Sequence, residues 1–281
     1  MTKRKETRKK LIRIKSWKEL FSRPKFKRPI DPKKTKLKEI IGDYKLEPKN
    51  PCSLSNCGTK HNYGYLITCG DDSESNIGNI CGRREFPEFV IKLNVFRREK
   101  NAQRYLDNIN TKRAELPAIK KKVEYLASGD RQAEWCYEQM KAQDTKAFDQ
   151  TTANSLREMS KRKDPYIRRQ RNLAESEREI AKETGASTNF QEEQIAMIAG
   201  ISAITDYKKL KNLFKKPLGE NLSIFKTIDM TAADHNQLLR WHNYANNIDK
   251  NIKKAESIIE DCHRFLTRQN LSTIAKHKQF L

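Results

Sequence analysis

The chain has 281 residues and a formal net charge of +22 at pH 7, with 36% hydrophobic and 33% charged residues and a mean hydropathy of −0.91. It contains no run of about 18 apolar residues for a membrane span, and no apolar core follows the basic N-terminus as in a secretory signal. The protein is therefore expected in the cytoplasm, nucleoid or nucleus and not secreted, where clustered thiols bind metal in preference to forming disulfides.

Residues 1–38 hold 17 Lys/Arg and 3 Asp/Glu, about two thirds of the excess charge. They read as a basic, flexible arm of the kind that binds nucleic acid. Lys3, Arg4, Lys5, Arg8, Lys9 and Lys10 begin the block, and Arg13 and Lys15 continue it. Such side chains neutralise phosphates and release counterions. Leu11, Ile14, Trp17 and Phe21 recur at helical spacing and predict a short amphipathic helix over 8–22. It is too short, and its apolar face too small, to hold a membrane surface. The prolines among Lys25, Phe26, Lys27 and Arg28 predict extended chain. Trp17 and Phe26, with Phe21, are suited either to stack on unpaired bases or to dock the arm onto the rest of the protein.

Residues 39–90 read as a zinc-binding module. Cys52, Cys57, His61, Cys69 and Cys81 fall within thirty residues, and thiolate and neutral imidazole are the ligands Zn²⁺ prefers. Cys52, Cys57 and Cys81 belong to every ligand set considered. The fourth ligand is either His61, four residues after Cys57, or Cys69, midway between Cys57 and Cys81; the shorter spacing favours His61. Glycines after Cys57, Cys69 and Cys81 are read as tight turns that aim amide N–H groups at sulfur. Tyr63–Thr68 predicts a short strand. The module resembles small zinc-ribbon and knuckle folds only in general outline, and it is expected to have so little core that the metal supplies its folding energy. A catalytic zinc would need an open position and a carboxylate base; Asp71, Asp72 and Glu74 are candidates for that base but read as a solvated turn.

Beyond residue 90 the periodicity turns helical. Ala102 to Leu126 carries an apolar stripe that Pro117 should break, and Ser128-Gly129-Asp130 reads as a C-cap followed by an N-cap. A polar helical stretch follows over 131–184, divided near Asp164-Pro165, so residues 91–186 form a long helical hairpin region. Residues 187–281 form a C-terminal helical region, with one helix over 189–215 and a last one that Thr231 and Asp234 would cap. In the last helix Trp241, Ala245, Ile248, Ile252, Ala255, Ile259, Cys262 and Leu266 make an a/d seam. That seam, over 238–266, asks for a facing helix from the same chain, a second copy or a protein partner. Cys136 and Cys262 read as core residues, and His235 and His242, two turns apart, are too distant to share an ion.

A second basic concentration runs through Lys161, Arg162, Arg168 and Arg169, with Lys120–Lys122 and Lys208–Lys216 beyond it. No Gly-rich phosphate loop, nucleophile elbow or carboxylate pair stands out, so no enzyme activity is expected. The fold class that follows is mainly α: a small zinc-stapled β knuckle or ribbon module, then a helical, partly coiled-coil body. The expected function is non-enzymatic nucleic-acid binding, DNA or RNA, through the arm and the helical basic patches. The alternative is a protein-interaction, assembly or inhibitory factor acting on a larger nucleic-acid-processing complex.

Overall fold

A computed structural model describes residues 11–185 and 190–281. The fold is mixed α/β, with 59% helix and 19% strand in sheets of four and two strands, which corrects the expectation of a mainly α protein built on a zinc knuckle. The chain divides into two compact units, one of residues up to Ile109 with Asp229–His242, the other of Asn110–Ile228 with Asn243–Leu281.

The first unit is built on a sheet ordered β1 (Ile12–Arg13), β2 (Leu37–Pro51), β3 (Lys60–Cys69) and β4 (Glu74–Gly78). β2, β3 and β4 are successive antiparallel neighbours, and β1 adds a short parallel edge beside Gly42 and Asp43. Helix α1 (Trp17–Phe21) starts at Ser16, whose hydroxyl accepts the Glu19 N–H at 3.1 Å. Trp17 and Leu20 carry α1 onto one face of the sheet, in a cluster with Ile14, Tyr44, Leu46 and Leu66. The other face is covered by α2 (Asn79–Glu85) and α3 (Phe89–Ala114), with Tyr65, Ile67, Ile77, Phe86, Phe89, Leu93 and Phe96 clustered there. Burial of both faces explains why β3 is buried without alternation from Tyr65 to Ile67. Each such side chain contributes about 1.5–3 kcal/mol when fully buried, so this unit has the core that the sequence reading denied it.

The second unit contains α4 (Leu116–Ser128), α5 (Ala133–Ala142), α6 (Gln150–Arg162), β5 (Tyr166–Asn172), α7 (Glu175–Thr184), β6 (Phe190–Met197), α8 (Ala203–Lys215), α9 (Asn221–Thr227), most of α10 (His235–Phe265) and α11 (Arg268–Lys276). Pro117 does break the helix, in the first turn of α4, and Gly129 caps that helix. The N-cap of α5 is Gln132, not Asp130. α10 opens on a reciprocal box between Asp234 and Gln237, with N···O distances of 2.8 and 2.9 Å, in place of the expected Thr231–Asp234 pair.

The largest departure is the antiparallel β5–β6 pair, where helix was expected on both sides of residue 186. α6 stops at Lys163, whose φ of 56° is left-handed. Only Ile167 of β5 is buried. The strands are held instead by cross-strand polar pairs, Arg169 to Glu193 at 2.9 Å and Arg171 to Gln191 at 2.6 Å. Opposed charges stabilise neighbouring strands, yet leave no apolar period in the sequence.

The seam of α10 is buried against helices of the same chain. Lys122 of α4 pairs with Glu256 at 2.8 Å, the Cys136 thiol of α5 lies 3.9 Å from the Ile259 carbonyl, and Phe225 of α9 meets Tyr244 edge-on. Between β6 and α8 the chain turns through Gly200, at φ +65°, packed against the end of α10, where a Cβ would lie 2.2 Å from the Asp261 carbonyl oxygen. Only glycine tolerates both the angle and the approach. Asp144, its side chain 1% exposed, lies in a π-helical turn over Gln143–Ala147 and accepts from Arg157 at 2.5 Å and from the Tyr207 hydroxyl at 3.0 Å, with Lys208 at 3.4 Å.

Candidate metal centre and basic surfaces

Three backbone segments of the first unit deliver the thiols. Cys52 follows the end of β2, Cys57 lies in the turn closed by its own N–H on the Leu54 carbonyl at 3.0 Å, and Cys81 lies in α2. Their Sγ atoms all lie within 4.8 Å of one another, so the three could hold a metal ion. Cys57 and Cys81 approach to 3.2 Å, and none of the three is in a disulfide. The Leu54 and Gly78 backbones hydrogen-bond the Cys52 sulfur, and the Thr59 backbone and hydroxyl bond that of Cys57.

These surroundings divide the thiols electrostatically. Burial opposes ionisation of Cys57, but the bonds from Thr59, Cys81 and Cys52 outweigh it and bring its pKa down to about 7. Burial and the neighbouring thiols push Cys81 up to about 12, and burial raises Cys52. Cys57 is thus the thiol that ionises first.

His61 is not in the group whose ligand atoms lie within 4.8 Å of one another. Its ring lies against Gly78, where a Cβ would be 3.5 Å from Cγ and Nδ1. Nε2 meets the Tyr44 hydroxyl at 2.7 Å, Asn76 Nδ2 donates to that hydroxyl at 2.9 Å, and the Ser53 hydroxyl donates to Asn76 Oδ1 at 2.5 Å. Tyr44, Asn76 and Ser53 are all buried. His61 Nδ1 is buried with no hydrogen-bond partner among the described residues. Burial holds the imidazole below its usual pKa, with the Thr59 backbone opposing, so the ring is neutral.

Cys69 is a core residue remote from the thiols. It pairs with Leu37 at one end of β3, whereas His61 pairs with Asn50 at the other, and eight residues of strand span about 27 Å. The carboxylates near Cys69 are engaged: Asp71 with Lys27 at 2.9 Å, Asp72 with Lys38 at 2.5 Å, and Glu74 with Arg23 at 2.5 Å. Gly82 does not serve a turn after its cysteine. A Cβ there would lie 2.4 Å from the Phe89 ring, so it makes room for that ring.

Of the residues expected to contact nucleic acid, Lys3, Arg4, Lys5, Arg8, Lys9 and Lys10 lie outside the described residues. Trp17 is docked, its Nε1 donating to the Pro48 carbonyl at 2.6 Å and its ring stacking on Phe21. Phe26 packs on Phe21, whose ring Arg28 also covers. Lys25 is exposed and Lys27 is paired with Asp71. In the second unit Lys161 pairs with Glu158, Arg168 with Asp164 and Arg169 with Glu193, while Arg162 is exposed. Most of that basic run is thus internally compensated.

Arg13 and Lys15 are brought together with residues the sequence reading missed. A cleft of about 1070 Å³ in the first unit is lined by Arg13, Lys15, Lys45, Lys100 and Arg104, by Asp43 and Asp107, and by Tyr44, Leu46 and Phe96. Lys100 pairs with Asp43, and Asp107 accepts from Gln103. Arg13, Lys15 and Lys45 are exposed and make no ion pair among the described residues. The one available signal was the spacing of Lys100 and Arg104, four apart on a helix face.

Comparison with protein-family models, with curated proteins and with solved structures finds no match.

Proposed function

We propose that this is a non-enzymatic zinc-containing protein that binds nucleic acid through its basic clefts. The observation that carries the reading is the first-unit cleft, which Arg13, Lys15, Lys45, Lys100 and Arg104 line against two carboxylates, Asp43 and Asp107. A concave, positively charged surface concentrates phosphodiester anions and steers their approach. Docking of Trp17 and Phe26 favours recognition by phosphate contact over base stacking.

The metal is Zn²⁺, held by Cys52, Cys57, Cys81 and His61. Zn–S bonds of about 2.3 Å put tetrahedral sulfurs about 3.8 Å apart, close to the observed grouping. A buried nitrogen without a partner is costly, and His61 Nδ1 is such an atom. Ligation through Nδ1 leaves the Nε2 proton to the Tyr44 oxygen, the outer-shell bond that ligating histidines usually make. Zinc in this role ties the end of β2, the following turn and α2 together. Tyr44 joins the two features, its hydroxyl on His61 and its residue in the cleft wall.

The variant Arg13→Gln/Lys15→Gln/Lys45→Gln should bind a mixed-sequence DNA duplex with a shallower salt dependence. Each lost phosphate contact flattens the log–log slope by about 0.9, so three contacts amount to roughly 2–3 in fluorescence anisotropy titrations. Absence of wild-type binding to duplex and single strand at about 50 mM salt would dispose of the nucleic-acid reading. Tyr44→Phe should weaken zinc binding by about 10–100-fold in competition with a chelator. An unchanged affinity removes His61 from the ligand set.

A second reading, a protein-interaction or assembly factor, is favoured by the exposed apolar side chains Ile80, Ile91 and Val95 on α2 and α3.

A further inference from the structure

The second unit contains another concentration of positive charge, a groove of about 660 Å³ between the end of α8 and α10. Lys209, Lys215 and Lys216 supply one wall and Lys254 the other, with Leu213 and Pro217 in the lining. We infer that this groove is a second phosphodiester-binding surface, in which ammonium groups on both walls grip successive phosphates of one nucleic-acid backbone; the inference rests on the nucleic-acid reading above.

Charge and geometry support it. Lys209, Lys215, Lys216 and Lys254 line a single concavity. Lys215, Lys216 and Lys254 are exposed and have no carboxylate partner among the described residues. Like charges gathered in one concavity repel, and a polyanion converts that repulsion into attraction. Glu220 on the wall and Asp206, 2.5 Å from Lys209, leave the balance positive.

The backbone has a local device for gathering them. α8 passes directly into a π-helical turn over Lys216–Glu220. Such turns are rare and often found at functional sites. Pro217 lies within it, and the Pro217 carbonyl is taken up by the Tyr244 hydroxyl at 2.7 Å. This bond ties the widened turn to α10 and brings two consecutive lysines to the groove that Lys254 faces. Compact ammonium groups with three donors each suit phosphate oxygens of varying orientation. The apolar floor of Leu213 and Pro217 offers a surface for sugars.

The test is the variant Lys215→Gln/Lys216→Gln/Lys254→Gln in the full chain. Exposed substitutions of this kind leave stability nearly unchanged, which a thermal melt checks. Binding to the mixed-sequence duplex should show a salt slope shallower by roughly 2–3. Wild-type slope and affinity in this variant, with the Arg13/Lys15/Lys45 variant impaired, overturn the groove and leave the nucleic-acid reading standing. No binding by the wild type removes both. Loss of polyglutamate binding equal to the loss of DNA binding also overturns the proposal, since the groove would then attract any polyanion.

Discussion

Cys81→Ser should lose tight zinc binding, by more than the 10–100-fold that an outer-shell partner is worth. A hydroxyl replaces one of the three thiolates on which the site depends, and the remaining ligands cannot close a structural tetrahedron. The pH dependence of loading by the unaltered protein is a companion result. Near neutral pH Cys57, its pKa brought down to about 7, is about half ionised, while Cys52 and Cys81, both raised, stay protonated. Zinc must therefore expel two to three protons, and its affinity should rise steeply with pH between about 7 and 9. In the metal-free protein, Cys57, lowered from 9.0 to about 7, adds stability in full above pH 9 and loses it as pH falls through 7. Cys81, raised to about 12, acts oppositely: its contribution is whole below pH 9 and disappears as pH rises towards 12.

Chelation should lower the melting temperature of the first unit without unfolding it at room temperature. A ligand present at about 1,000 times its Kd adds about 4 kcal/mol, whereas the two-sided core persists when the metal leaves. Metal analysis of the purified variant and circular-dichroism melts with and without chelator read both effects. Equal zinc content in Cys81→Ser and wild type, or complete unfolding on chelation, contradicts this account.

Asp144→Ala is expected to cost the second unit about 3 kcal/mol. Asp144 is a buried carboxylate satisfied by Arg157, Tyr207 and Lys208, each from a different position on α6 or α8. Breaking such a network from its buried member costs about 3–5 kcal/mol. The lower figure applies because Arg157 and Lys208 are partly exposed and regain water. Tyr207, 1% exposed, does not, and its hydroxyl is left without an acceptor. At about 2–4 °C per kcal/mol for a unit of this size, the midpoint falls by roughly 6–12 °C. Tyr207→Phe alone should cost about 1 kcal/mol. The double variant should cost less than the sum of the two; additive losses would show that the two groups do not interact.

The thiols were legible because three ligands lie within thirty residues. The choice between His61 and Cys69 was not, since spacing says nothing about direction and an unbroken strand carries them to opposite ends. For segment 11–38 charge pointed to a free arm and the aromatics equally to docking; Ile14, Trp17 and Leu20 hold it to the sheet. β5 and β6 escaped notice because Arg, Glu and Gln favour helix in isolation, and here their pairing across strands prevails. α10 could be read directly, as a regular apolar stripe reports burial wherever its partners come from.

The discontinuity of the first unit has a consequence for synthesis. Its three clustered thiols and both faces of its sheet are complete once residue 109 has emerged, but His235 and His242, which pack on Tyr105 at ring distances of 5.6 and 4.6 Å, follow more than a hundred residues later. During translation the metal centre can therefore assemble well before the unit is closed. The segment Asp229–His242 can join the first unit only after Asn110–Ile228 of the second has been made.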